Sequence, residues 1–193
     1  MPDQLSLTGF DPAPEPTDGL FLALFPDAGT ASHIADLAQQ LRHEHRLRGM
    51  PLATTRFHVT LHDLGEHLGL PRDMVASAIK AAATVAMPPV ELRFDVASSF
   101  GRSGKRPFVL RTTQASDSLL DFQQALGAAL KHAGLGRWVK NQYTPHVTLL
   151  YEDREVEEGP VERVAWTAHE FVLVHSLLGK TTHIPLGRWP LRG

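Results

Sequence analysis

Arg56-Phe57-His58-Val59-Thr60-Leu61 and Pro145-His146-Val147-Thr148-Leu149 carry the same four residues, His-Val-Thr-Leu, at two places in one chain. Both stretches are short and alternate in polarity, so both read as strands. Side chains alternate across a strand. His58 and Thr60 therefore share one face, and Phe57, Val59 and Leu61 take the other. His146 and Thr148 likewise oppose Val147 and Leu149. The apolar faces have the composition of a core. The polar faces repeat a histidine and a threonine, which a duplicated packing unit has no need to retain.

The chain around the motifs repeats as well. Gly19 to Phe25 is an apolar run of strand length, ended by Pro26 and Asp27. From Thr30 to about Leu47, Ile34, Leu37, Ala38 and Leu41 recur at helical spacing, until Gly49 and Pro51 interrupt. A second helix runs from about Pro71 to Ala86, and Val90 to Val96 alternates as a strand. The order then restarts: a strand at Pro107 to Leu110, a helix from Asp117 to Ala133 stopped by Gly134, and a strand from Tyr143 to Tyr151. Glu170 to Leu178 and Thr182 to Trp189 read as two more strands, turned at Gly179-Lys180. Leu22 to His58 spans 36 residues and Val109 to His146 spans 37. This near-equality points to an internal duplication. The expected fold is α+β and bilobal: two pseudo-symmetric lobes, each a mainly antiparallel sheet flanked by helices, with the active site in the central cleft. Residues 1–18, with Pro2, Pro12, Pro14 and Pro16, read as a flexible leader, and 19–193 as a single bilobal domain.

Composition narrows the chemistry. The absence of cysteine excludes disulfides, thiolate nucleophiles and cysteine zinc sites, and fits a cytoplasmic protein. No stretch approaches the length of a membrane span. A formal net charge of −2 gives no overall nucleic-acid signature, so any contact with nucleic acid must be local. His43-Glu44-His45 lacks the i, i+4 spacing of a zinc motif, and no Gly-x-Ser-x-Gly elbow occurs. Neither a metal nor another cofactor is expected.

Two outward histidines and two outward threonines around one cleft suit phosphodiester hydrolysis. One imidazole takes a proton from water and the other gives one to the leaving oxygen, both with pKa values near working pH. The threonine hydroxyls donate hydrogen bonds to the non-bridging oxygens. Which histidine is acid and which is base stays open. His62 falls on the same predicted face as His58, where it would orient that residue or contact substrate. Gly101-Arg102-Ser103-Gly104-Lys105-Arg106 is a basic stretch between two strands, placing Arg102, Lys105 and Arg106 as phosphate contacts or as solvated charges. Tyr143 or Trp138 is a candidate for stacking on a base.

On these motifs the sequence resembles the 2H phosphoesterase superfamily, within it the bacterial 2′-5′ RNA ligase-like group of RNA 2′,3′-cyclic phosphodiesterases. Its signature is a His-x-Thr motif in each lobe. Here His58 and His146 stand 88 residues apart. Gly65 matches a glycine that follows the first motif. Leu20 to Pro26 matches the first strand, and Phe171 to Leu177 with Trp189-Pro190-Leu191 matches the ending, so the likeness covers about residues 19–191. It implies cleavage of 2′,3′-cyclic phosphates, at RNA ends or in nucleotides, to 2′-phosphomonoesters without a metal, and the reverse 2′-5′ ligation. It implies His58, Thr60, His146 and Thr148 as catalytic residues, in a monomer. Two departures bear on substrate: His62-Asp63 stands where a basic or aromatic pair is common, and Thr182-His183 where a tyrosine is common. A small non-RNA cyclic phosphate, or nucleotide binding without turnover, are the alternatives.

Overall fold

The computed structural model describes residues 14–101 and 106–192. Its strands are β1 (Asp18–Leu24), β2 (Val59–His67), β3 (Val90–Ser99), β4 (Arg106–Arg111), β5 (His146–Glu152), β6 (Gly159–Ala168), β7 (Glu170–Leu177) and β8 (Thr182–Pro190). Its helices are α1 (Ala28–Glu44), α2 (Arg72–Ala83) and α3 (Asp117–Leu130). All pairings are antiparallel, in the order β6-β3-β4-β5-β2-β1-β7-β8. The expected α+β architecture is what forms.

Four strands lie on either side of one weak joint. β2 and β5 meet at the single register pair Val59↔Val147, whereas every other neighbouring pair shares several. On one side stand β2-β1-β7-β8, and on the other β5-β4-β3-β6. Each position has its counterpart: β1–α1–β2 answers β4–α3–β5. The third strand is exchanged. β3 follows β2 in sequence but pairs with β4, and β7 returns from beyond β5 to pair with β1.

Each element follows from its sequence. Leu20, Leu22 and Leu24 of β1 are buried on the helix side, leaving Phe21 on the other. α1 begins two residues before the predicted Thr30, because Asp27 caps it by accepting from Thr30 N at 2.8 Å. α3 starts behind Ser116, and Gly134 at φ 82° closes the turn that follows it. Phe122 of α3 meets Phe171 of β7 edge-on at 5.1 Å, fixing helix to sheet.

Three expectations change. β6 is an additional strand that the sequence pattern does not announce. It is an edge strand with Pro160, Glu162 and Arg163 on it, and only Val164, Trp166 and Ala168 buried in alternation. Ordered chain begins before the proposed boundary: Asp18 is already in β1, buried against His175, and Thr17 bonds both His67 O and Leu178 N. The leader reading otherwise falls on residues 1–13, outside the described residues. The second motif strand starts at His146 instead of Tyr143. Among the described residues no helix is long and apolar enough to cross a membrane.

Candidate active site

The two motifs fold alike to the level of single atoms. His58 Nδ1 donates to the carbonyl of Arg56 at 2.7 Å, and His146 Nδ1 to that of Thr144 at 2.8 Å. A carbonyl can only accept, so the proton sits on Nδ1 and Nε2 carries the free lone pair. Each ring also lies on a phenylalanine. Phe21 stacks on His58 at 4.8 Å and 23°, and Phe100 on His146 at 4.8 Å and 25°. The two supports come from different strands, Phe21 from β1 and Phe100 from just beyond β3.

A β-bulge repeats too. Leu22 pairs with His62 but Ala23 with Thr60, so Leu61 is extra; Phe108 pairs with Leu150 but Val109 with Thr148, so Leu149 is extra. The bulge turns the residue after it inward. Leu61 and His62 are both buried, as are Leu149 and Leu150, while Thr60 and Thr148 stay half-exposed. His62 is therefore buried, unlike His58, yet it still lines the cavity shared by Thr60 and His146. Its Nε2 bonds Gln123 O of α3 at 2.9 Å, and a Cβ on Gly127 would crowd the ring. His62 anchors the helix to the sheet.

Thr60 and His146 line a cavity of about 460 Å³ with Phe21, Phe100, Trp138 and Tyr143. The Trp138 Nε1 and Tyr143 hydroxyl are buried without partners among the described residues. Gly65, matched in the sequence to a glycine after the first motif, has φ 88°, and a Cβ there would strike the Trp138 ring. Lys140 pairs with Asp63 at 3.7 Å at the wall of this cavity. The acidic residue is thus matched by a lysine.

Arg106 is corrected as a cleft contact. It donates to Asp153 O at 3.0 Å and lies 4.0 Å from Glu155, beyond the end of β5 opposite His146. Arg102 and Lys105 lie outside the described residues. Sequence reading assigns no position in the site to three participants, His183 being noted only as a departure that bears on substrate. His183 of β8 stands perpendicular to both His58 and Phe21, 5.3 Å from each. Arg56 and Arg111 place positive charge near His58 and His146 respectively.

These surroundings overturn the expectation of unshifted imidazoles. Burial, with smaller contributions from His183, His146 and Arg56, lowers His58 from 6.5 to about 4. Burial, and then Arg56, lowers His183 to about 4. Burial, and then Arg111, lowers His146, against the raising effect of the Thr144 carbonyl.

The family model of the 2′-5′ RNA ligase superfamily matches residues 25–179. The chain belongs to that superfamily, one of 2H phosphoesterases. Among solved structures, Escherichia coli LigT in apo form is 26% identical with a TM-score of 0.69, covering 93% of this chain and 100% of its own. LigT complexed with NADP+ has the same identity, TM-score and coverage. TT0787 of Thermus thermophilus shares the fold at 19% identity and a TM-score of 0.70, covering 91% of this chain and 98% of its own. A search of the curated proteins finds no match.

Proposed function

We propose that this member of the superfamily hydrolyses 2′,3′-cyclic phosphodiesters, at RNA ends or in nucleotides, to 2′-phosphomonoesters without a metal. The observation that carries the reading is the paired Nδ1–carbonyl bond, which leaves both motif imidazoles with Nε2 free for proton transfer. A binding module has no use for two proton-transfer groups held in matching tautomers. The binding of NADP+ by LigT supports a nucleotide as occupant of the cleft.

The environments divide the roles. His58 is the more strongly shifted, enclosed by Phe21, Phe25 and His183. It is neutral at working pH and serves as the base that takes a proton from the attacking water. His146 has Arg111 near it, but that charge is paired with Glu158 at 2.9 Å. It protonates the departing 3′ oxygen as the P–O3′ bond breaks. Thr60 and Thr148 hold the non-bridging oxygens, their hydroxyls committed to no bond among the described residues. With an RNA 5′ hydroxyl in place of water, the same groups would join two ends through a 2′-5′ linkage, P–O5′ forming as P–O3′ breaks and the 3′ oxygen takes the proton.

Assaying the protein in EDTA with nucleoside 2′,3′-cyclic phosphates and short RNAs tests the proposal. Lack of turnover on all of them overturns it. Comparing mononucleotides with oligonucleotides then separates RNA from a smaller substrate. Thr60→Val and Thr148→Val are each expected to lower kcat about 10²-fold, as removal of one oxyanion donor does elsewhere. Unchanged kcat in both would remove the threonines from the mechanism.

The pH profile follows from the shifts. The base must be unprotonated, so kcat/KM rises as pH climbs through the His58 value of about 4. The acid must be protonated, so kcat/KM falls as pH passes the His146 value, which is lowered from 6.5. The maximum is expected on the acid side of 6.5. The kcat profile lies higher, because a bound phosphodiester anion favours imidazolium. A kcat/KM profile flat from pH 4 to 8 would exclude paired histidine catalysis.

A further inference from the structure

Arg56 occupies the 3₁₀ turn Thr54–Arg56 that leads into the first motif, and its carbonyl holds His58 Nδ1. Its side chain is half-buried, and its Nε is fully buried with no hydrogen-bond partner. Several cations of the molecule have carboxylates: Arg93 with Glu91, Arg111 with Glu158, Lys140 with Asp63, Arg188 with Glu170. Among the described residues Arg56 has none. Through its carbonyl Arg56 adjoins His58, whose ring has His183 at 5.3 Å, and its charge opposes the protonation of both imidazoles.

A half-buried guanidinium without a counter-ion is an unfavourable arrangement, since desolvation is uncompensated. It becomes favourable when an anion arrives. Guanidinium presents a planar fork of donors that matches phosphoryl oxygens two at a time. The chain has no other cation directly after either motif: His62-Asp63 follows the first and Leu150-Tyr151 the second. The departure in sequence and the unpaired charge in space thus complement each other.

We propose that Arg56 is the phosphoryl-binding cation of this site, pairing with non-bridging oxygens of the substrate beside the Nε2 of His58. This rests on reading the cleft as a phosphodiester site. It assigns Arg56 two functions through separate atoms: the carbonyl orients the base, and the guanidinium neutralises the group being attacked. Replacing the side chain removes the second and leaves the first.

Inorganic phosphate is the probe, titrated calorimetrically at fixed ionic strength into wild type, Arg56→Gln, Arg56→Lys and Arg93→Gln. Arg56→Gln is expected to weaken binding about tenfold or more, and Arg56→Lys by less, since the charge stays but the fork is lost. Arg93→Gln is expected to bind as wild type does. Arg56→Gln binding phosphate as tightly as wild type overturns the proposal. Should Arg56→Gln not fold, wild type is treated with a dicarbonyl arginine reagent and mapped by mass spectrometry. Phosphate slowing modification of Arg56 but not of Arg93 supports the assignment, and equal rates with and without phosphate overturn it. Wild type that binds phosphate through Arg56 yet turns over no cyclic phosphate keeps this assignment and sinks the hydrolase reading. Full turnover by Arg56→Gln does the reverse.

Discussion

His58→Ala and His146→Ala are each expected to lower kcat on a nucleoside 2′,3′-cyclic phosphate by about 10²- to 10⁴-fold, the usual contribution of a positioned acid or base. The double variant is expected to fall well short of the product of the two losses, because groups acting in one proton-transfer sequence are not additive. The two single variants differ in a way that tests the role of each. On the proposed roles His146→Ala lacks the acid, so a diester with a nitrophenol leaving group, which departs without a proton, is expected to restore much of its rate. His58→Ala lacks the base, and the same substrate does not rescue it. Rescue of His58→Ala instead would reverse the assignment. Survival of activity in the double variant would end it. Both imidazoles rest on phenylalanine rings and are held by backbone carbonyls, so alanine removes a proton carrier without releasing a buried charge.

Glu152→Ala is expected to destabilise the fold by about 3 kcal/mol, the scale for losing several part-buried N–H bonds of a charge-assisted network. Glu152 ends β5 and is buried. One carboxylate oxygen accepts from Arg48 N at 2.6 Å and Gly49 N at 3.1 Å, the other from Asp153 N at 2.9 Å and Arg154 N at 3.5 Å. It thereby clamps the segment between α1 and the first motif, where a Cβ on Gly49 would collide with Tyr151 O. Bonds from Gly49, and then from Arg48, Asp153 and Arg154, lower its pKa from 4.5 to about 2. The folded-state value lies below the unfolded one, so this stabilisation is fully present above pH 4.5 and is lost as pH falls toward 2. Thermal unfolding at pH 7 is expected to show a drop of about 6–12 °C. The gap between wild type and variant should close on acidification. A gap that persists at pH 2, or none at pH 7, would contradict this account.

Much of the site is legible because the motif strands obey the two-residue period. His58, Thr60, His146 and Thr148 emerge half-exposed while Val59 and Val147 are fully buried. The duplicated spacing foretells matching halves. Legibility ends where a bulge breaks the period. Nothing in Leu61-His62 announces that the ladder slips there, so simple alternation misses the burial of His62. β6 escapes because an edge strand tolerates Pro160, Glu162 and Arg163 among its few buried positions. Arg56, His183 and Phe100 are hidden for another reason. Their meaning lies in which residue they meet across the sheet, and no local pattern encodes that. The lowered imidazole pKa values have the same origin, since burial is a property of the assembled cleft.

The exchanged third strands imply something about how such a chain comes together. Cutting the polypeptide between β3 and β4 would not separate the lobes, for each fragment would own strands in both. The connectivity is the kind that two strand-exchanging copies of a half-length chain would leave if joined end to end. It also makes the cleft a late event on the folding route. The β2-β1-β7-β8 lobe must close a loop across most of the sequence to pair β1 with β7, which is slow entropically. Only after that can Val59 find Val147 and bring the two motif strands side by side.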